Sequence, residues 1–117
     1  MINKAIVIGR LTHDPELRAT PQGKAVANLR IATNTFAGKD EQGNSKEHTE
    51  FHRLVLFDKL AEVAAAYLKR GRLIYAEGRL QYRSWDDAAG LKHHSTEIVV
   101  ETLQMLGGKE SGQTAAA

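Results

Sequence analysis

Two hydrophobic periods run along the chain, and the switch between them marks its elements. Ile2 to Leu11 is dense in β-branched residues and predicts a strand. Thr12 to Gly23 holds Asp14-Pro15 and Pro21-Gln22-Gly23, both turn chemistries. Lys24 to Thr33 alternates. Ala25, Ala27, Leu29, Ile31 and Thr33 share one face, and Val26, Asn28, Arg30 and Ala32 share the other. Period two is the signature of a half-buried strand. Asn34 to His48 is polar, contains Gly38 and Gly43, and reads as a loop or an exposed hairpin. Thr49 to Phe57 predicts a further strand.

From Asp58 the period changes. Leu60, Val63, Ala64, Tyr67 and Leu68 fall on one stripe of an amphipathic helix. Asp58 is placed to cap its start. Lys69 and Arg70 suit the negative end of the helix dipole, and Gly71 suits a left-handed stop. Arg72 to Trp85 returns to strand character, interrupted by Gly78, the mark of a bulge or bend. Asp86 to Gly90 reads as a turn. Lys92 to Thr102 alternates again, with Thr96, Ile98 and Val100 on one face.

The order is three strands, a helix and two strands. That is the order of an OB-fold, an all-β, five-stranded Greek-key barrel with an α-helix between strands 3 and 4. The pattern alone also fits other small α+β arrangements. Residues 1–106 read as one domain. Gly107 to Ala117 lacks large apolar groups and reads as a short flexible tail.

Composition then removes whole classes of function. At 117 residues there is room for one domain. There is no cysteine, so disulfides, thiolate metal sites and cysteine nucleophiles are out. No apolar run approaches the roughly 18 residues that cross a bilayer. The start lacks the charged and apolar regions of a signal peptide, so a cytoplasmic protein without a membrane partner is expected. His48 and His52 are four apart, but on a strand that is about 13 Å, too far to share an ion. His93 and His94 point to opposite faces and read as surface imidazoles. Phosphate-loop and nucleophile-elbow motifs are absent, and the acidic pairs Asp40-Glu41 and Asp86-Asp87 sit in predicted loops. No catalytic residue, metal or cofactor is expected, and the chain is not read as an enzyme.

The binding signals are better. On one strand Arg79, Gln81, Arg83 and Trp85 share a face. A tryptophan on the same face as two arginines suits base stacking beside phosphate-binding cations; its structural alternative is a cover for the barrel rim. On another strand Phe51, Arg53, Val55 and Phe57 share a face, and His52, Leu54 and Leu56 share the other. Turning Arg53 inward would bury an unpaired charge, so Phe51 and Phe57 are expected outside. Phe36, alone in a polar segment, fits stacking and a small satellite core contact equally. The net charge of +2 is an average. Between Tyr67 and Arg83, Lys69, Arg70, Arg72, Arg79 and Arg83 face one anion, Glu77; between Ala37 and Glu50 two cations face four anions. A cationic strip carrying aromatics is the footprint of single-stranded nucleic-acid binding. For Lys69 and Arg70, helix-end charge is a strong alternative.

The run TEFHRLVLFDKLAEVAAAYLKRGRLIYAEGRLQYRSW resembles bacterial-type single-stranded DNA-binding proteins. So do NKAIVIGRL, DPELR, KAVANLRIAT, STEIVV and the final LQML. The resemblance spans residues 1–106. It implies an OB-fold barrel in a homotetramer, a dimer of dimers, with single-stranded DNA wrapped around it. It implies base stacking on Trp85, Phe51, Phe57 and Phe36, although the family often has tryptophan where Phe36 and Phe51 stand. Phosphate contacts are then expected from Arg53, Lys59, Arg72, Arg79 and Arg83, with Lys69, Arg70 and Arg18 as weaker contributors. The first strand, with Asn3, Lys4, Ala5 and Ile6, is implied to pair across a dimer interface, with His52 near subunit contacts. The implied role is sequence-independent protection of single-stranded DNA in replication, recombination or repair. A protein–protein adaptor of the primosomal OB type is the alternative. Many members recruit replication and repair enzymes through an acidic C-terminal tip. No such tip precedes Ala117, so partners of that kind are left unassigned.

Overall fold

The alternating segments fold into strands that a short helix interrupts once. In the computed structural model, which describes residues 1–107, the elements are β1 (Ala5–Leu11), β2 (Glu16–Ala19), β3 (Ala25–Lys39), β4 (Ser45–Phe57), α1 (Asp58–Tyr67), β5 (Leu73–Asp86) and β6 (Lys92–Leu106). The tail expected beyond Gly107 lies outside the described residues.

The sheet order is β1-β5-β6-β4-β3-β2. A further antiparallel pairing, Arg10↔Ala32 and Leu11↔Ile31, joins β1 to β3 and closes the sheet on itself. Strands β4 and β6 run parallel; the other pairs are antiparallel. That pairing ties β1, β5, β6, β4 and β3 into a barrel and leaves β2 as an edge strand on β3. The interior holds Ile31, Leu54, Leu56 and Ile74, all fully buried, with Ala27, Leu29, Ile98 and Val100. Ala61 and Ala64 of α1, then Leu68, complete the same cluster. Apolar burial on this scale is the main stabilising term of so small a barrel.

Two glycines are there for space. A Cβ on Gly9 would stand 2.5 Å from the carbonyl oxygen of Ala32, where β1 crosses to β3. A Cβ on Gly78 would fall inside the Val99 carbonyl oxygen. At Gly78 the ladder slips: Glu77 pairs with Thr102 but Gly78 with Val100, so Glu101 is the extra residue of a β6 bulge. The bulge re-aims β6, so that Ile98 and Val100 before it and Leu103 and Met105 after it all meet the core.

The expected order is corrected in two places, and one open choice is decided. The helix lies between β4 and β5, not between a third and a fourth strand, because Glu16–Ala19 pairs with β3 as a sixth strand. Its four residues are all exposed, so no buried face betrays it in the sequence. The polar stretch after Thr33 is the exposed-hairpin option, with β3 running on to Lys39 and β4 starting at Ser45. The helix ends also differ. Phe57, in extended conformation, is the N-cap residue, and Asp58 is the first helical residue at φ 56°, paired with Lys24 at 3.6 Å. The helix stops at Tyr67 with Leu68 extended, so Lys69, Arg70 and Gly71 lie beyond its last turn.

Candidate nucleic-acid interface

Strand register builds one continuous outer face. Across β3 and β4 it pairs Val26↔Phe57, Asn28↔Val55, Arg30↔Arg53, Ala32↔Phe51 and Phe36↔Glu47. Arg53 is level with Glu97 of β6, which pairs with Gln81 of β5. Ser95 and His93 follow opposite Arg83 and Trp85, while Glu16 and Arg18 of β2 flank Asn28 and Val26. Alternate side chains of a strand point the same way. Phe36, Phe51, Phe57 and Trp85 therefore share the face with Arg18, Arg30, Arg53, Arg79 and Arg83. The opposite side of β4 supplies Leu54 and Leu56 to the core, so the expected orientation of Phe51, Arg53 and Phe57 holds.

All four aromatics are exposed: Phe36 63%, Phe51 54%, Trp85 41% and Phe57 39%. Two carry a cation. The Arg30 guanidinium lies 4.7 Å from the Phe51 ring centroid, and that of Arg83 lies 5.2 Å from the Trp85 ring centroid. Between them a recess of about 400 Å³ is lined by Arg18, Arg30, Arg53, Arg83, Asn28 and Glu97, among others. Glu97 is the buried carboxylate of this face, 5% exposed, and accepts a hydrogen bond from Arg83 at 3.0 Å.

Trp85 sits just before the turn that joins β5 to β6. The Asp87 carboxylate accepts the backbone N–H groups of Ala89 and Leu91, which fixes the turn. Its other oxygen is 2.7 Å from His93 Nε2. The His93 ring stacks on Trp85, with centroids 5.5 Å apart and planes 17° apart. The hydrogen bond from His93, then those from Leu91 and Ala89, hold the Asp87 carboxyl below the usual carboxylate value.

The remaining expected residues are spread around this face. Arg79 pairs with Glu101 at 3.6 Å. Lys59 is exposed in the first turn of α1, two residues beyond Phe57. Lys69, Arg70 and Arg72 precede Leu73 and so stand at the opposite end of β5 from Trp85. There Arg72 Nε donates to Leu106 O, and the Arg70 backbone donates to Asp14. The structure does not bring these three together with the recess.

The residues expected at subunit contacts lie on and before β1. Asn3 exchanges two 3.0 Å hydrogen bonds with the Leu80 backbone, and Ala5 pairs with Gly78. Ile6 and Ile8 are exposed on the outer side of β1, beside Glu77 and Tyr75. Tyr75 Oη donates to Glu77 at 2.6 Å, and Lys4 Nζ lies 2.9 Å from the same carboxylate. Those two bonds, Tyr75 first, hold the Glu77 carboxyl below its usual value. His52 is half-buried, its Nε2 2.9 Å from Thr33 Oγ1.

Three residues of the face escaped the sequence reading. Arg30 had a signal, since it lies on the strand face opposite Leu29 and Ile31. Glu97 and His93 had none of their own, because their partners are on another strand and only the hairpin register brings them together.

This arrangement has known counterparts. The chain matches the model of the single-strand binding protein family over residues 2–106. It belongs to that family. It is 51% identical over 112 residues to the Single-stranded DNA-binding protein 1 of Chlorobaculum tepidum, covering 95% of this chain and 68% of that protein. The solved complex of the Plasmodium falciparum SSB with ssDNA superimposes with a TM-score of 0.81 at 29% identity, covering 92% of this chain and 97% of that one. The OB-fold expected from the strand order is thereby the fold of this family member. The family is one of binding proteins and not of catalysts. Among the described residues no helix is long and apolar enough to cross a membrane.

Proposed function

We propose that this protein binds and protects single-stranded DNA without regard to sequence, as a stoichiometric binder and not as an enzyme. The observation that carries this reading is the set of four exposed aromatic rings on a face that also holds five arginines. Every base has a π-face, so stacking on Trp85, Phe51, Phe57 and Phe36 discriminates little between bases. A duplex hides those faces in its own stack, so single strands are preferred. Arg53, Arg79, Arg83 and Arg18 then meet phosphates along the face, joined by Arg30 and, past Phe57, by Lys59. Arg72, with Lys69 and Arg70, extends the path around the far end of β5.

The setting is cytoplasmic DNA replication, recombination or repair. The assembly is a homotetramer built as a dimer of dimers. The apolar outer side of β1, at Ile6 and Ile8, supplies surface for it next to Asn3, Lys4 and Ala5, with His52 near the contacts. The relatives' names and the DNA-bound neighbour support this reading, and so does the exposure of the stacking set, which an adaptor would have no reason to keep.

Trp85 is the one tryptophan in the chain, so its fluorescence reports one position. Titration with unstructured oligothymidine should quench it strongly, salt should weaken the effect, and a duplex should do little. Absence of quenching by the single strand at low salt would refute stacking on Trp85.

A further inference from the structure

The β5–β6 turn holds a histidine that the binding reading leaves unused. Trp85 is an exposed strand residue, and free rotation of its indole would have to be given up when a base stacks. Ordering such a side chain in advance lowers the entropic cost of binding. The structure supplies two restraints that do this. His93 stacks on the indole at 5.5 Å, and Arg83 lies 5.2 Å from its centroid. Each restraint is itself tied to a carboxylate: His93 to Asp87 at 2.7 Å, Arg83 to Glu97 at 3.0 Å. Asp87 in turn is fixed by the backbone of Ala89 and Leu91.

We infer that His93 is a positioning residue for Trp85, holding the indole ready for a base through its stack on the ring and its tie to Asp87. The inference rests on the single-stranded DNA reading above.

The test compares the full chain with His93→Gln, His93→Phe and Asp87→Asn. In the DNA-free protein, Trp85 anisotropy should show faster local rotation of the indole in His93→Gln and Asp87→Asn, and His93→Phe, which keeps a ring to stack, should restore the slow rotation. Oligothymidine affinity should weaken by about threefold in His93→Gln, the scale of ordering one side chain, and recover in His93→Phe. If His93→Gln leaves both the indole rotation and the affinity unchanged, the positioning role is overturned while DNA binding stands. If the unmodified chain does not bind oligothymidine at all, the binding reading falls and the role with it; the DNA-free anisotropy experiment tells the two failures apart.

Discussion

Arg83 and Glu97 form an unequal ion pair, with the arginine side chain half in water and the carboxylate 7% exposed. Removing one member of such a pair strands the other. For Glu97 the stranded charge would sit on the floor of the recess. Arg83→Ala should therefore cost about 1–2 kcal/mol, less than a fully buried pair because one side is solvated. Arg79→Ala, which breaks a 3.6 Å pair between two exposed side chains, should stay within about 0.5 kcal/mol. Thermal or urea unfolding of the two variants gives the comparison, and equal losses would contradict the asymmetry.

The four aromatics should not contribute equally. Stacking contributes about 1–3 kcal/mol per base, a range taken from proteins of this same family. Trp85 has the largest ring and two restraints. Phe36 faces Glu47 across the ladder, and that carboxylate repels phosphate. Trp85→Ala should weaken oligothymidine binding by about tenfold or more. Phe36→Ala should weaken it least of the four, and Glu47→Gln should tighten it slightly. Anisotropy with a labelled oligonucleotide ranks them; Phe36→Ala as the most damaging variant would reverse the order argued here.

Salt dependence should separate the arginines. For single strands, log affinity falls by about 0.7 per log unit of salt for each phosphate neutralised. Arg53 lines the recess, whereas Arg79 is engaged by Glu101. Arg53→Ala should flatten the slope by about 0.7, and Arg79→Ala by less. Affinity measured across a salt series checks this, and identical slopes for both variants would count against it.

Acid should act on the other side of the barrel. The Glu77 carboxyl is held below its ordinary value of 4.5 by Tyr75 first and Lys4 second. A lowered carboxyl stabilises the fold at pH above that ordinary value, and the contribution is lost as pH falls below it through the lower folded-state value. The melting temperature of Glu77→Gln should lie below that of the unmodified chain near neutrality, and the gap should close in acid. Melting curves at fixed protein concentration test this, since Ile6 and Ile8 flank the carboxylate on a surface proposed for assembly.

Much of this was legible in the residues. Period-two alternation placed Leu54 and Leu56 inside and, by exclusion, Phe51, Arg53 and Phe57 outside. The Trp85 face followed from the same parity, and Gly78 was correctly suspected of marking a bulge, which lies on the facing strand at Glu101. Strand β2 was illegible because an edge strand with four exposed residues leaves no hydrophobic period. The helix start misled because β4 runs into α1 with no loop between them, leaving Phe57 as the cap residue and Asp58 inside the helix. Cross-strand partners such as Trp85 and His93 needed the hairpin register, which depends on how Asp87 folds the turn.

The filled interior of the barrel has a topological consequence. Ile31, Leu54, Leu56 and Ile74 leave no lumen, so whatever polymer the protein holds must lie across its outside. A ligand laid on an open face does not have to be threaded. It can be captured or shed anywhere along its length, and a closed circle of DNA serves as well as a strand with two free ends.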